Sequence, residues 1–218
     1  MEEYNKEFKE VKRLGSSKYM ISKDKELFVK ISDNKKALKE EYGALKKMNK
    51  ENSIEGLDFI EPVALEGNKL ITKYVDGAKT LIEILDPDLF YKFGEKLKEF
   101  HEASYTHGHL QFNDVMHKNN RFIITDLGHL NKKEPIYDLV NAKKGLEMFK
   151  IKKPWKHSKC NKCFESFLKG YGNIDKRKFE KQYKKRLRKT IERFRERGMM
   201  GKIKVLMIIM ANKVGFID

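Results

Sequence analysis

Residues 106–130, THGHLQFNDVMHKNNRFIITDLGHL, constrain this chain more than any other stretch. Val115 and Met116 are apolar, His117 to Asn120 are polar turn residues, and 121–125 are apolar and β-rich. The segment therefore reads as two short strands joined by a turn. A loop containing His107, Gly108, His109 and Asp114 precedes this hairpin, and Asp126 follows it just before Gly128. A hairpin brings its two ends together, so Asp114 and Asp126 are expected close in space although apart in sequence. Paired carboxylates of this kind suit a divalent cation that prefers hard oxygen ligands, and Mg2+ brings nucleotide phosphates with it.

The same stretch resembles the catalytic and metal loops of the protein-kinase-like superfamily. Within it the small atypical microbial members are nearest in pattern: RIO- and Bud-type kinases, lipopolysaccharide-core sugar kinases and aminoglycoside phosphotransferases. Those carry H-G-D-L-x-x-x-N, a short hairpin, then two apolar residues and D-[FLW]-G. His107, Gly108 and Leu110 match, Asp114 stands where the family has Asn, and I-I-T-D-L-G matches at Asp126. His109 occupies the place of the family's catalytic Asp.

The resemblance implies a two-lobed α+β fold. A small N-terminal antiparallel sheet plus helix spans 1–76. A mainly helical lobe with the catalytic and metal loops spans 77–174. A basic amphipathic helix and an apolar tail fill 175–218. It further implies an ATP- and Mg2+-dependent kinase, transferring phosphate to a hydroxyl of a protein, a lipopolysaccharide sugar or another small molecule. The alternative is a pseudokinase, a nucleotide-binding or scaffold module, because of His109. Phosphoryl transfer rests mostly on positioning and charge neutralisation, so Asp126 and Asp114 on metal matter first. A positioned proton acceptor contributes about 10²–10⁴-fold. Neutral imidazole, which ordinarily titrates near pH ~6.5, can act as one. The weighting falls slightly toward an enzyme. His107 is expected to pack the loop, and His117 and His129 to be surface turn residues.

Composition bounds the alternatives. With 218 residues the chain is long enough for one sizeable domain or two small lobes. Hydrophobic content of 39% against 37% charged residues excludes a disordered chain. No apolar run is long enough to span a bilayer, and the start MEEYNKEF does not resemble a secretory signal. Two cysteines point to a reducing, cytoplasmic setting. The net charge of +16 favours an anionic partner.

Phe8, Val11 and Leu14 recur at helical spacing, so Phe8–Leu14 alone reads as a short helix; only the resemblance makes it a first strand. A turn at Gly15 and strands at 19–22 and Leu27–Ile31 follow. By resemblance these form a lid over ATP, with Gly15 as a reduced glycine loop and Lys30 as the phosphate-gripping lysine. Lys30 lies between two apolar neighbours and so faces away from them; a solvent-facing strand lysine is the plain alternative. Residues 35–48 carry Leu38, Tyr42, Leu45 and Met48 at helix spacing, with Asp33 or Asn34 as cap. Glu41 lies near that apolar face and is preferred over Glu40 as the carboxylate bracing Lys30. Glu40 has Lys36 one turn back for surface pairing. Residues 56–65 and 69–74 read as two further strands, and 88–103 as a core helix with Phe90, Phe93, Leu97 and Phe100 on its stripe.

Residues 135–149 read as a helix, in which Asp138 caps or braces the loop. His157, Cys160 and Cys163 form H-x-x-C-x-x-C without an evident fourth zinc ligand, so a helix start with unpaired thiols is preferred. Residues 175–198 form an amphipathic helix crowded with Lys and Arg, suited to an acidic membrane surface, a lipid-linked sugar or, alternatively, RNA. The apolar run 203–210 is too short to cross a bilayer, which leaves a peripheral position on the inner membrane face as one option.

Overall fold

The computed structural model describes residues 7–14 and 17–196. Gly15 and the apolar run 203–210 lie outside the described residues. The chain divides into two compact units. One comprises Met1–Thr80 with Asn113–Lys132, and the other Leu81–Phe112 with Lys133–Asp218.

The first unit holds both sheets. Its elements are β1 (Phe8–Leu14), β2 (Ser17–Ser22), β3 (Leu27–Ile31), α1 (Lys35–Glu51), β4 (Leu57–Phe59), β5 (Pro62–Glu66), β6 (Lys69–Lys73), β7 (Lys79–Thr80), β8 (Val115–Lys118) and β9 (Arg121–Ile124). The larger sheet runs β1-β2-β3-β6-β5 and is antiparallel throughout. Its core is Leu27, Val29 and Ile71, against which Phe8, Met20, Ile31, Val63 and Ala64 pack. The smaller sheet runs β4-β9-β8-β7. The hairpin β8–β9 is antiparallel, and β4 joins β9 in parallel. In α1 the buried residues are Leu38, Glu41, Leu45 and Met48, one stripe at helical spacing. Asn34 caps it, its side chain accepting from the Ala37 N–H at 3.0 Å.

The second unit is helical: α2 (Leu81–Ile84), α3 (Pro87–Glu102), α4 (Ile136–Lys152), α5 (His157–Tyr171) and α6 (Lys176–Arg195). Asp86 caps α3 through the N–H groups of Asp88 and Leu89, with Pro87 preset for the first turn. Phe90, Phe93 and Phe100 of α3 are buried with Phe112 and Phe167. The Phe90 and Phe112 rings lie 4.5 Å apart, and those of Phe112 and Phe167 5.1 Å edge to face. Two glycines set the contact of α3 with α5. A Cβ on Gly94 would meet the Phe167 carbonyl at 2.2 Å, and one on Gly170 the Tyr91 carbonyl at 2.0 Å. Any side chain at either position forces the helices apart.

The architecture is thus an N-terminal antiparallel sheet with a helix, followed by a mainly helical part. Two local expectations change, and one ambiguity is resolved. Phe8–Leu14 is the first strand that the resemblance implies, despite helical spacing. Its pairing with β2 shifts register between Glu10 and Lys12, and such a bulge breaks the two-residue alternation. Residues 56–65 are not one strand but β4 and β5, which belong to different sheets. His117 is not a turn residue: it lies in β8, its ring 5.2 Å from that of Phe122.

Candidate functional site

Alternation along β3 sends Leu27 and Val29 into the core and Lys30 to the other face. There the Lys30 ammonium donates to Glu41 Oε2 at 2.7 Å and to Asp126 Oδ1 at 3.1 Å. The Glu41 side chain is only 7% exposed, whereas that of Asp126 is 51% exposed. Burial opposes the Lys30 charge, but the carboxylates of Glu41 and Asp126 outweigh it and hold the ammonium well above the usual lysine range. Burial also pushes the Glu41 carboxyl upward; Lys30 pulls it down, and the Asp126 charge adds to the rise. Glu40 points elsewhere in its pairing. It accepts from Lys132 at 2.5 Å, and Lys132 also donates to the Gly128 carbonyl at 3.0 Å. One lysine thereby ties α1 to the turn after Asp126.

Asp126 has φ +57°, a left-handed backbone that Asp tolerates better than most residues. Backbone of this kind concentrates where a fold holds a functional group in a set direction. The hairpin ends are pinned: the Thr125 N–H and hydroxyl both donate to the Asp114 carbonyl, at 2.9 and 3.1 Å. The Asp114 side chain is buried and accepts from Asn113 Nδ2 at 3.3 Å. Two carboxylates on one hairpin fit Mg2+, which takes one or two protein carboxylates and fills its shell with phosphate oxygens and water. Among the described residues no group of three His, Cys, Asp or Glu side chains forms a protein-only metal cage. A cavity of about 600 Å³ is lined by Tyr19, Lys30, Ser32, Glu41, Asp126 and His129, among others. That is a normal size for a small-ligand site. His129, an exposed turn residue, is therefore part of its lining. A second cavity of about 450 Å³, with Asn49, Asp58 and Arg121, shares no lining residue with it.

In the other unit the loop 106–110 is anchored by Asp138 of α4, which is fully buried. Its Oδ2 accepts the His107 N–H at 2.8 Å, and its Oδ1 the Leu110 N–H at 3.4 Å. His101 Nε2 lies 3.2 Å from Oδ2, and His101 Nδ1 lies 2.8 Å from the Tyr171 hydroxyl. Burial pushes the Tyr171 phenol up to about 12. The His101 ring is thereby held between that hydroxyl and the buried Asp138 carboxylate. His107 is fully buried, and the His109 N–H donates back to His107 Nδ1 at 3.4 Å. The His109 side chain is half-buried. Sequence reasoning reached Asp138 as a brace but missed His101 and Tyr171, which carry no motif of their own. Cys160 and Cys163 are buried in α5 with their thiols raised by burial, Cys163 to about 12. Both lie within α5.

No family model matches the chain. A curated relative, named a probable bifunctional tRNA threonylcarbamoyladenosine biosynthesis protein of Methanobrevibacter smithii, is 25% identical over 145 residues. The match covers 64% of this chain and 24% of that protein, so the chain spans about a quarter of the relative's length. Among solved structures, the complex of APH(2'')-IIa with gentamicin superposes with a TM-score of 0.63 at 13% identity, covering 93% of this chain and 91% of that one. The same protein with streptomycin and ATP gives 0.57 at 14% identity, covering 81% and 82%. A choline/ethanolamine kinase family protein of Mesorhizobium loti gives 0.52 at 11% identity, covering 100% and 84%. What is shared at these identities is the fold: this chain has the kinase-like α+β fold of these structures, an N-terminal antiparallel sheet with a helix followed by a mainly helical part.

Proposed function

We propose that the chain is an ATP- and Mg2+-dependent phosphotransferase acting on a hydroxyl acceptor. The observation that carries this is the convergence of Lys30, Glu41 and Asp126 at 2.7 and 3.1 Å beside a cavity of about 600 Å³. A structural neighbour is recorded with ATP. On this reading Lys30 grips phosphate oxygens and Glu41 keeps the ammonium charged and aimed. Asp126 and Asp114 hold Mg2+, which when bound neutralises phosphate charge. His109 takes the proton of the acceptor hydroxyl as its oxygen bonds to the terminal phosphorus. The bond from that phosphorus to the bridging oxygen breaks, and ADP leaves. Asp138 does no chemistry; it holds the loop backbone in place. The Lys- and Arg-rich face of 175–198 meets an anionic partner, an acidic membrane surface or RNA. The relative's name, which concerns tRNA, adds weight to RNA.

His109 favours one second reading, nucleotide binding without transfer. The decisive experiment is a thermal-shift series with ATP and Mg2+ followed by a phosphate-release assay. A Mg2+-dependent shift lost in Asp126→Asn, with release, supports the enzyme. A shift without release supports the binding module. No shift ends both. Retention on RNA against acidic vesicles, with and without the residues from 175 onward, separates the two partners.

A further inference from the structure

The seam where α4 packs on α6 contains a buried amide whose chemistry is half complete. Asn141 of α4 is fully buried, and its Oδ1 accepts from Arg186 Nε of α6 at 3.1 Å. A guanidinium only donates, so this bond fixes which end of the amide is oxygen. Among the described residues the Asn141 Nδ2 is left buried without a partner. Buried polar groups in folded proteins are nearly always satisfied, so an orphaned donor calls for an acceptor that the described residues do not supply.

The surroundings of that amide are cationic. Lys144, one turn along α4 on the same face, is pushed down by burial and by Arg186, Arg193 and Lys133. Lys133 is likewise lowered by burial and by Arg186, against a smaller opposing pull from Asp138. The adjacent Lys143 is also pushed down by burial, but carboxylates stand beside it. It lies 3.8 Å from Glu180 and over the rings of Phe179 and Tyr183. One lysine of the pair thus has a carboxylate partner, while the charged neighbours of the other are all cations.

We propose that Asn141, Lys144, Arg186 and Lys133 form a binding site for a phosphate group of a compact ligand. An oxyanion supplies the acceptor that Nδ2 lacks and sets negative charge beside the Lys144 ammonium, whose charged neighbours Arg186, Arg193 and Lys133 are all cations. The solvated row of Lys181, Lys184, Lys185 and Arg188 on α6 has no such buried donor, so a single phosphate group is favoured here over an extended polyanion. The site is tied to the loop of the same unit. The Thr106 hydroxyl donates to the Lys133 carbonyl at 2.8 Å, and Asp138, one turn before Asn141, holds His107 and Leu110. If the loop transfers phosphate, the bound phosphate is a handle on the acceptor. That clause rests on the phosphotransferase reading; the binding does not.

The test titrates the full chain with inorganic phosphate and pyrophosphate against chloride at equal ionic strength, without nucleotide or Mg2+. Thermal shift and the 1H–15N side-chain amide signals are read together. We expect a saturable rise in Tm and movement of the Asn141 amide signals. Lys144→Met, a change at a half-exposed residue, weakens phosphate binding about tenfold or more, as expected for loss of a charged hydrogen bond. Lys39→Met, a change at an exposed residue of α1, leaves it intact. A response equal to that of chloride, or one unchanged in Lys144→Met, overturns the proposal. So does a Lys144-dependent response to RNA or acidic vesicles with none to the two small anions. A failed phosphate titration beside an intact Mg2+-ATP shift rejects this site and leaves the proposed function standing; the reverse result does the opposite.

Discussion

The fully buried Asp138 carboxylate accepts the His107 N–H at 2.8 Å. With Leu110 on its other oxygen and His101 beside it, one side chain satisfies two backbone donors and fixes one ring. Asp138→Ala leaves those donors buried without acceptors. We expect a loss of about 2–4 kcal/mol of stability, read by urea unfolding, since each unsatisfied buried group costs about 1–3 kcal/mol. Asp138→Asn, which keeps one acceptor oxygen, loses less. Equal stability of all three proteins would remove Asp138 as the anchor of the loop.

Lys30→Met abolishes the Mg2+-ATP thermal shift and changes the pH dependence of stability. With the ammonium gone, burial and the Asp126 charge act on Glu41 unopposed, and its carboxyl rises further. A folded value above the unfolded one gives stability that is full below the unfolded value and is lost as pH rises through the folded one. The deficit of Lys30→Met therefore shrinks as pH falls from 8 toward 5, measured as the difference in urea midpoints from the parent protein. A deficit that widens on acidification would contradict this arrangement.

His109→Ala separates the two functional readings. If His109 accepts the proton, phosphate release falls about 10²–10⁴-fold while the Mg2+-ATP shift is kept. If the chain binds without transferring, neither measurement changes. Loss of the shift itself would place His109 in nucleotide binding and not at the acceptor.

The two thiols serve as a probe of opening. Both are buried in α5, and burial holds the Cys163 thiol near 12. A thiolate is the reacting form. We expect no rapid reaction with a disulfide reagent at pH 7.5 in the native protein and two equivalents in guanidinium. Rapid native labelling, or metal release accompanying labelling, would mean that α5 is not the packed helix described.

Much of the first unit was legible. Lys30 was placed by alternation and Glu41 by its position on the apolar stripe of α1, because both periods are set by backbone geometry. The strand Phe8–Leu14 was legible only through the resemblance, because its register shift hides the alternation from any spacing rule. The split of 56–65 into β4 and β5 depends on which distant strands each one pairs with. His101, Tyr171 and the orphaned Asn141 amide were also invisible, because their partners come from other elements.

The sequence by itself determined which residues carry charge on which face of each element, and the order of helix, loop, hairpin and D-L-G. Those are local properties of a chain with fixed strand and helix periods. Only the tertiary structure decided that Lys30 meets Glu41 and Asp126, and that Asp138 holds His107. Such contacts join residues far apart in sequence, and their energies arise from burial and hydrogen bonding that exist only once the chain has packed.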